Sequence, residues 1–202
     1  LLNVSRMEAG RFFIDPTDVD LNSEVPAEIS QLQTMADAKN VKLVYDAPAK
    51  PVPIMKLDLD KTRQVIMNLA DNAVHYSAPP AGGGVVHVSL TQEGTDIVFK
   101  VVDNGIGVPE AQKKKMFQKF FRAGNAQNAR PDGTGLGLYL VKRVVDDQGG
   151  EVIFESTEGK GSTFGFRMPI HNKLRLSPKQ AQPSQVSQLR TAPTTEGAKT
   201  VK

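Results

Sequence analysis

The sequence predicts an α+β domain, a two-layer α/β sandwich in which a mixed, mostly antiparallel sheet packs one face on helices. Three observations lead there. Amphipathic helical patterns run from Asp58 to Ser77 and from Gly135 to Gly149. Strand-like segments 85–92 and 96–103, and again 151–157 and 162–170, are joined by short glycine-containing turns and read as antiparallel hairpins. Helices and hairpins come in blocks rather than in strict βα alternation, which disfavours a doubly wound sheet.

The chain's 202 residues leave room for one packed core with appendages. No apolar run approaches the roughly 18 residues a membrane span needs. The absence of Cys excludes disulfides, thiolate catalysis and cysteine-based zinc sites. His75, His87 and His171 are too scattered to suggest a metal cage. The start, Leu1-Leu2-Asn3, has neither an initiator Met nor the pattern of a signal peptide, so the chain is read as a fragment. The net charge is +3, but from Lys173 onward six basic residues face one acid, so residues 1–172 carry −2. The basic balance belongs to the tail and gives no reason to expect nucleic acid. That tail, 173–202, is rich in Ser, Thr, Pro, Gln and Ala and is expected to be a disordered basic linker.

Along the chain, residues 1–10 place Leu1, Val4 and Met7 at helical spacing before Gly10, as the end of a helix would. An extended stretch follows. Ile29, Leu32 and Ala36 then mark a helix over 22–40 with Asn40 as its stop, and VKLVYDA reads as a strand followed by a Pro-broken loop. Asp58 is a good N-cap for the next helix, with Thr62, Val65, Leu69, Ala73 and Tyr76 on one stripe and Pro79-Pro80 ending it. Pro109 starts a short helix, Met116–Phe121 suggests one more helical turn, and 122–134 reads as a long mobile loop of the kind that often covers a site.

Three segments could carry chemistry. On the helix from Asp58, at about 100° per residue, Asn72 lies at about +40° and His75 at about −20° from Asn68, beside the apolar stripe. Two amides and an imidazole there could hold a hydrated Mg²⁺ and reach phosphate oxygens, or simply form a solvated face. In the strand 96–103, Ile97, Phe99, Val101 and Asp103 point the same way, so a carboxylate ends an apolar row. It needs a donor, which the exocyclic amine of adenine would supply. Gly105 and Gly107 would let main chain approach a flat ring, although Asp103-Asn104-Gly105 could also be no more than a turn. Gly133-Thr134-Gly135-Leu136-Gly137-Leu138 leads into a helix whose exposed N–H groups suit a polyphosphate, with a spacing that is neither the dinucleotide nor the GK[ST] phosphate loop. Between them, Phe117, Phe120 and Phe121 suit core packing or anchorage of a lid, with Lys119 and Arg122 facing phosphate.

The order and spacing of Asn68…Asn72-Ala73, Asp103-Asn104-Gly105-Ile106-Gly107, Phe117…Phe121, the 133–138 glycine segment and Gly161-Ser162-Thr163-Phe164 resemble the N, first glycine, F, second glycine and closing boxes of sensor histidine kinases. The resemblance covers roughly residues 1–170. It implies the Bergerat ATP-binding fold over 11–172, with 1–10 as the end of a dimerisation helix and a lid over about 109–135. It further implies Asn72 as principal Mg²⁺ ligand with Asn68 supporting, and His75 where the family often has Lys or Arg against phosphate. Tyr76 would lie near the nucleotide, Asp103 would read the adenine amine with Thr163 supporting it, and Lys119 or Arg122 would close on the γ-phosphate.

In the related ATPases, Asn68's position resembles a Glu that activates water. An amide cannot accept a proton at neutral pH, so transfer of the γ-phosphoryl to a protein is the better reading than hydrolysis. None of the three histidines resembles the family's acceptor, so the substrate is expected on a histidine-bearing dimerisation domain, in cis or in trans, of a homodimeric parent. A response regulator receiver domain would be the downstream partner. The need for ATP implies a cytoplasmic site, with the parent attached to the inner membrane in some arrangements. The alternatives are a true ATPase of the same fold and an interaction module with a degenerate pocket.

Overall fold

The computed structural model describes residues 13–77 and 83–174. The expected helix end at 1–10, the Pro79-Pro80 stop and the tail from Arg175 lie outside the described residues. Within them the expected two layers are present. Five strands form the sheet: β2 (Val41–Asp46), β4 (Gly84–Glu93), β5 (Asp96–Asp103), β7 (Gly161–Pro169) and β6 (Glu151–Thr157), in the spatial order β2-β4-β5-β7-β6. Only the β2–β4 pair is parallel.

One sheet face is carbon. Val86, Val88 and Leu90 of β4, Ile97, Phe99 and Val101 of β5, and Phe164, Phe166 and Met168 of β7 are buried against helices α1 (Leu21–Ser30), α3 (Leu59–Tyr76) and α5 (Gly137–Asp147). Phe99 and Phe166 stack at 5.2 Å, and Phe154 and Phe164 at 4.8 Å. Helix α3 presents Thr62, Val65, Ile66, Leu69, Ala70, Ala73 and Val74 to this core, and Asp58 caps it by accepting from the Lys61 N–H at 3.1 Å. Helix α5 adds Leu140, Val141, Val144 and Val145.

Several local expectations are corrected. The helix expected over 22–40 is two helices, α1 and α2 (Gln33–Ala38), broken at Gln31-Leu32; Asn40 ends the unit in a left-handed conformation, φ 54°. The extended stretch and the Pro-broken loop pair as β1 (Thr17–Val19) and β3 (Met55–Leu57), antiparallel, in a separate two-stranded sheet. Segments of three residues are too short to show a strand period. Glu110–Lys115 is a 3₁₀ helix after Pro109, but Met116–Phe121 forms successive turns rather than helix, with Phe120 at φ 60°. The loop expected over 122–134 contains the short helix α4 (Gly124–Ala129). No helix among the described residues is long and apolar enough to cross a membrane.

The end of α3 is tied to the turn after β5 by main chain, the Ile106 N–H donating to the Tyr76 carbonyl at 3.1 Å, and the start of β4 is tied to the same turn by the Val85 N–H donating to Asn104 Oδ1 at 2.8 Å. This fixes α3, the end of β5 and the start of β4 around one opening. Truncating the stacked core, Phe99→Ala, is expected to destabilise the chain by about 3–5 kcal/mol in urea unfolding, through lost burial and the cavity left beside Phe166.

Candidate functional site

Two lobes form one cleft between α3, the end of β5 and the lid segment. The polar lobe, about 240 Å³, is walled by Asn68, Asp71, Asn72 and Tyr76 of α3 and faced by Gly133–Gly135, Gly137 and Leu138. Its roof is Phe121–Ala123, Ala126 and Arg130. The second lobe, about 50 Å³, has the apolar walls Ala73, Ile106, Val108, Met116, Leu138 and Phe164, with Asp103 and Ser162 at its base. Asn72, Tyr76, Met116 and Leu138 border both lobes. Paired amides and a glycine segment thus sit at one end, and a carboxyl in apolar surroundings at the other.

Asp103 is 7% exposed. It stands opposite Ser162 in the β5–β7 ladder, where the inward row above it is Val101 against Phe164. Burial pushes its carboxyl up to about 6, against the pull of the Gly105 and Ser162 main-chain N–H groups. The Gly105 N–H donates to Oδ1 at 2.9 Å. Gly105 and Gly107 are needed here for a reason other than a ring: a Cβ on Gly105 would lie 2.0 Å from the Tyr76 carbonyl oxygen, and one on Gly107, at φ +60°, 2.0 Å from that of Thr157. The glycines let the turn seat against protein main chain, and so set where Asp103 points.

The cleft gathers Asn68, Asn72, Tyr76, Arg122, Gly133, Thr134, Gly135, Gly137 and Leu138 in the polar lobe, and Asp103, Ile106 and Gly107 in the other. Gly105 stands behind Asp103, and Leu136 is buried next to the glycine segment. Three further expected residues also border neither lobe. The His75 ring turns back along its own helix, with Nδ1 3.0 Å from the Asp71 carbonyl oxygen and 3.2 Å from Asp71 Oδ1. Lys119 Nζ lies 5.1 Å from the centre of the Tyr139 ring. Thr163 pairs with Val102 on the opposite sheet face from Asp103, so the support assigned to it comes from the Ser162 main chain.

Arg122, expected against the γ-phosphate, lines the polar lobe and also braces the lid. Its guanidinium donates to the carbonyls of Pro131 at 3.1 Å, Ala126 at 3.2 Å and Arg130, closing the C-terminal end of α4. The lid cation whose side chain meets α3 is Arg130, with Nη1 2.8 Å from Asp71 Oδ2. Arg130, Asp71 and Ser162 were not legible as site residues. Parity with Asp103 across the ladder would have found Ser162, but only once the register was known.

The raised carboxyl at Asp103 has a cost. Between the ordinary Asp value of 3.8 and about 6, the folded chain holds more protons than the unfolded one, so stability falls as pH rises through that window and levels off above it. Asp103→Asn keeps an acceptor for Gly105 and removes the ionisation. It is expected to stabilise the chain at pH 8 by on the order of 2 kcal/mol and to give little gain at pH 4. Melting curves at the two pH values check this; equal shifts would contradict it.

The family model for histidine kinase-, DNA gyrase B-, and HSP90-like ATPases matches residues 57–172. The circadian input-output histidine kinase CikA of Synechococcus elongatus is 32% identical over 185 residues, 91% of this chain and 24% of CikA. The adaptive-response sensory kinase SasA of Synechococcus sp. strain JA-3-3Ab is 34% identical over 171 residues, 85% of this chain and 44% of SasA. The chain therefore spans less than half the length of these curated relatives. Among solved structures, full-length ShkA in complex with AMPPNP aligns with a TM-score of 0.71 at 25% identity, over 86% of this chain and 35% of that one. The nucleotide-free catalytic domain of the histidine kinase ThkA has the same fold, with a TM-score of 0.65 at 24% identity over 77% of this chain and 98% of that one. The chain belongs to the histidine kinase-, DNA gyrase B- and HSP90-like ATPase family, as a catalytic domain of the kind found in sensor histidine kinases.

Proposed function

We propose that this domain binds Mg·ATP and donates its γ-phosphoryl to a histidine on a dimerisation domain, in cis or on a partner chain, for relay to a receiver domain. The observation that carries the reading is the change in polarity from one lobe of this cleft to the other. Asp103 at the apolar end suits the adenine amine, and the amides, glycine segment and Arg130 at the other end suit a polyphosphate.

The side-chain oxygens of Asn72 and Asn68 fit a hard divalent cation, and Mg²⁺ held there would neutralise charge between the phosphates. The rest of the work falls to the chain itself. Tyr76 borders both lobes and would orient the nucleoside between them. Arg122 keeps the lid ordered above the phosphates, and Arg130 offers them a cation. Transfer is favoured over hydrolysis because Asn68, an amide, cannot take a proton from an attacking water.

The reading is tested by mixing the chain, Mg·ATP and a separately supplied histidine-bearing dimerisation domain: labelled phosphate is expected on that domain, with little released to solution. Steady phosphate release without transfer would favour an ATPase instead. Asn72→Ala is expected to abolish magnesium-dependent ATP binding while leaving the melting transition unchanged. Asp103→Asn is expected to weaken ATP about tenfold or more and GTP much less, as titration calorimetry would read it, because it removes the acceptor for the adenine amine. Equal loss for both nucleotides would remove Asp103 from base recognition.

A further inference from the structure

The polar lobe contains a conflict. Asp71 places a carboxylate on the same wall as Asn68 and Asn72, where phosphate oxygens would have to sit. Its neighbours are His75, at 3.2 Å on its own helix, and Arg130 from the lid, at 2.8 Å. Asp71 and Arg130 are each about one quarter exposed, so the pair is neither buried nor fully screened. Arg130 meets Asp71 through a single short contact, Nη1 to Oδ2, and its Nε lies 3.7 Å from Asp132. A guanidinium held this way keeps donors for the two-pronged contact that phosphate makes well.

The two lobes, about 240 and 50 Å³, together come to the small end of the range for such ligands, roughly 300 Å³ upward, so the position of the lid decides how much room a nucleotide has. The lid rests on the body through Phe117, edge-on to Phe154 at 5.8 Å, and Lys119 over the Tyr139 ring, and within 124–130 two side chains fasten it at opposite ends of the cleft: Asn125 Nδ2 donates to the Gly107 carbonyl at 2.9 Å, and Arg130 pairs with Asp71. Of the two, only the Arg130 fastening lies in the polar lobe's wall.

Resting on the nucleotide reading above, we propose that Asp71 is a built-in competitor of the polyphosphate. It parks Arg130 in the empty cleft and yields it to the entering phosphates. Asp71 is then left as a negative charge beside them. The exchange ties lid position to occupancy and holds affinity below what the amides, glycine segment and Arg130 could reach, which favours release of the spent nucleotide. Asp71 thus sets how strongly the site grips each additional phosphate.

The test is titration calorimetry of the whole chain and of Asp71→Asn with Mg·ATP, Mg·ADP and adenosine, with Asp71→Ser as a second variant and melting curves to verify folding. Asp71→Asn is expected to tighten Mg·ATP about fivefold, Mg·ADP less, and adenosine not at all, while Arg130→Ala weakens Mg·ATP. Unchanged or weaker Mg·ATP binding in Asp71→Asn would overturn the proposal, leaving Asp71 as a support for Arg130. An equal gain for adenosine would overturn it too, because the carboxylate would then resist lid opening rather than compete with phosphate. Wild-type chain that binds no Mg·ATP would instead overturn the nucleotide reading beneath it.

Discussion

The structure turns on one carboxyl group set where carbon would stabilise the fold better. The inward row of β5 runs Ile97, Phe99, Val101 and then Asp103, and each of the first three is matched across the ladder by Met168, Phe166 or Phe164. At the fourth position the row meets Ser162 and the small apolar lobe. Burial raises the proton affinity of Asp103, and two main-chain N–H groups partly offset it. The Ser162 donor comes with the β5–β7 register, and the Gly105 donor is in place because the Gly105–Gly107 turn presses on the Tyr76 and Thr157 carbonyls, closer than any side chain would allow. The end of α3, the end of β5 and the start of the lid are therefore placed by the same few contacts that orient this acid.

The start of the lid is anchored by Phe117 against Phe154, but its 124–130 segment is held by polar contacts. Helix α4 has six residues and no buried side chain. Arg122 binds its C-terminal carbonyls, Asn125 fastens it to the first glycine turn, and Arg130 fastens it to α3. Each of these contacts is individually modest, on the order of 1 kcal/mol. A segment held this way can be repositioned by a ligand that offers comparable contacts, whereas the sheet-and-helix body, with its stacked Phe99 and Phe166, cannot.

Legibility in the sequence followed the range of the interaction. Period and spacing within one element were enough to put Asn68 and Asn72 on a shared face of α3 and Asp103 on the core side of β5. The glycine segment before α5 was legible for the same reason. Most of what was not legible depended on a second element. Thr163 and Ser162 differ by one residue, and only the register with β5 says which of them faces Asp103. His75 lies on the expected side of the helix, but its ring bonds back to the preceding turn. Arg130 meets Asp71 across 59 residues of chain, and no local pattern encodes that pairing. Strands β1 and β3, with only three residues each, likewise pair at long range, Thr17 opposite Leu57.

The most direct measurement is calorimetric titration of the chain with Mg·ATP at pH 6 in two buffers of different ionisation enthalpy, with Asp103→Asn as the reference. If adenine is gripped by an ionised Asp103 whose carboxyl otherwise titrates near 6, binding releases about half a proton that the variant does not release. Binding without that difference, or no binding at all, would contradict an adenosine polyphosphate lying across both lobes of this cleft.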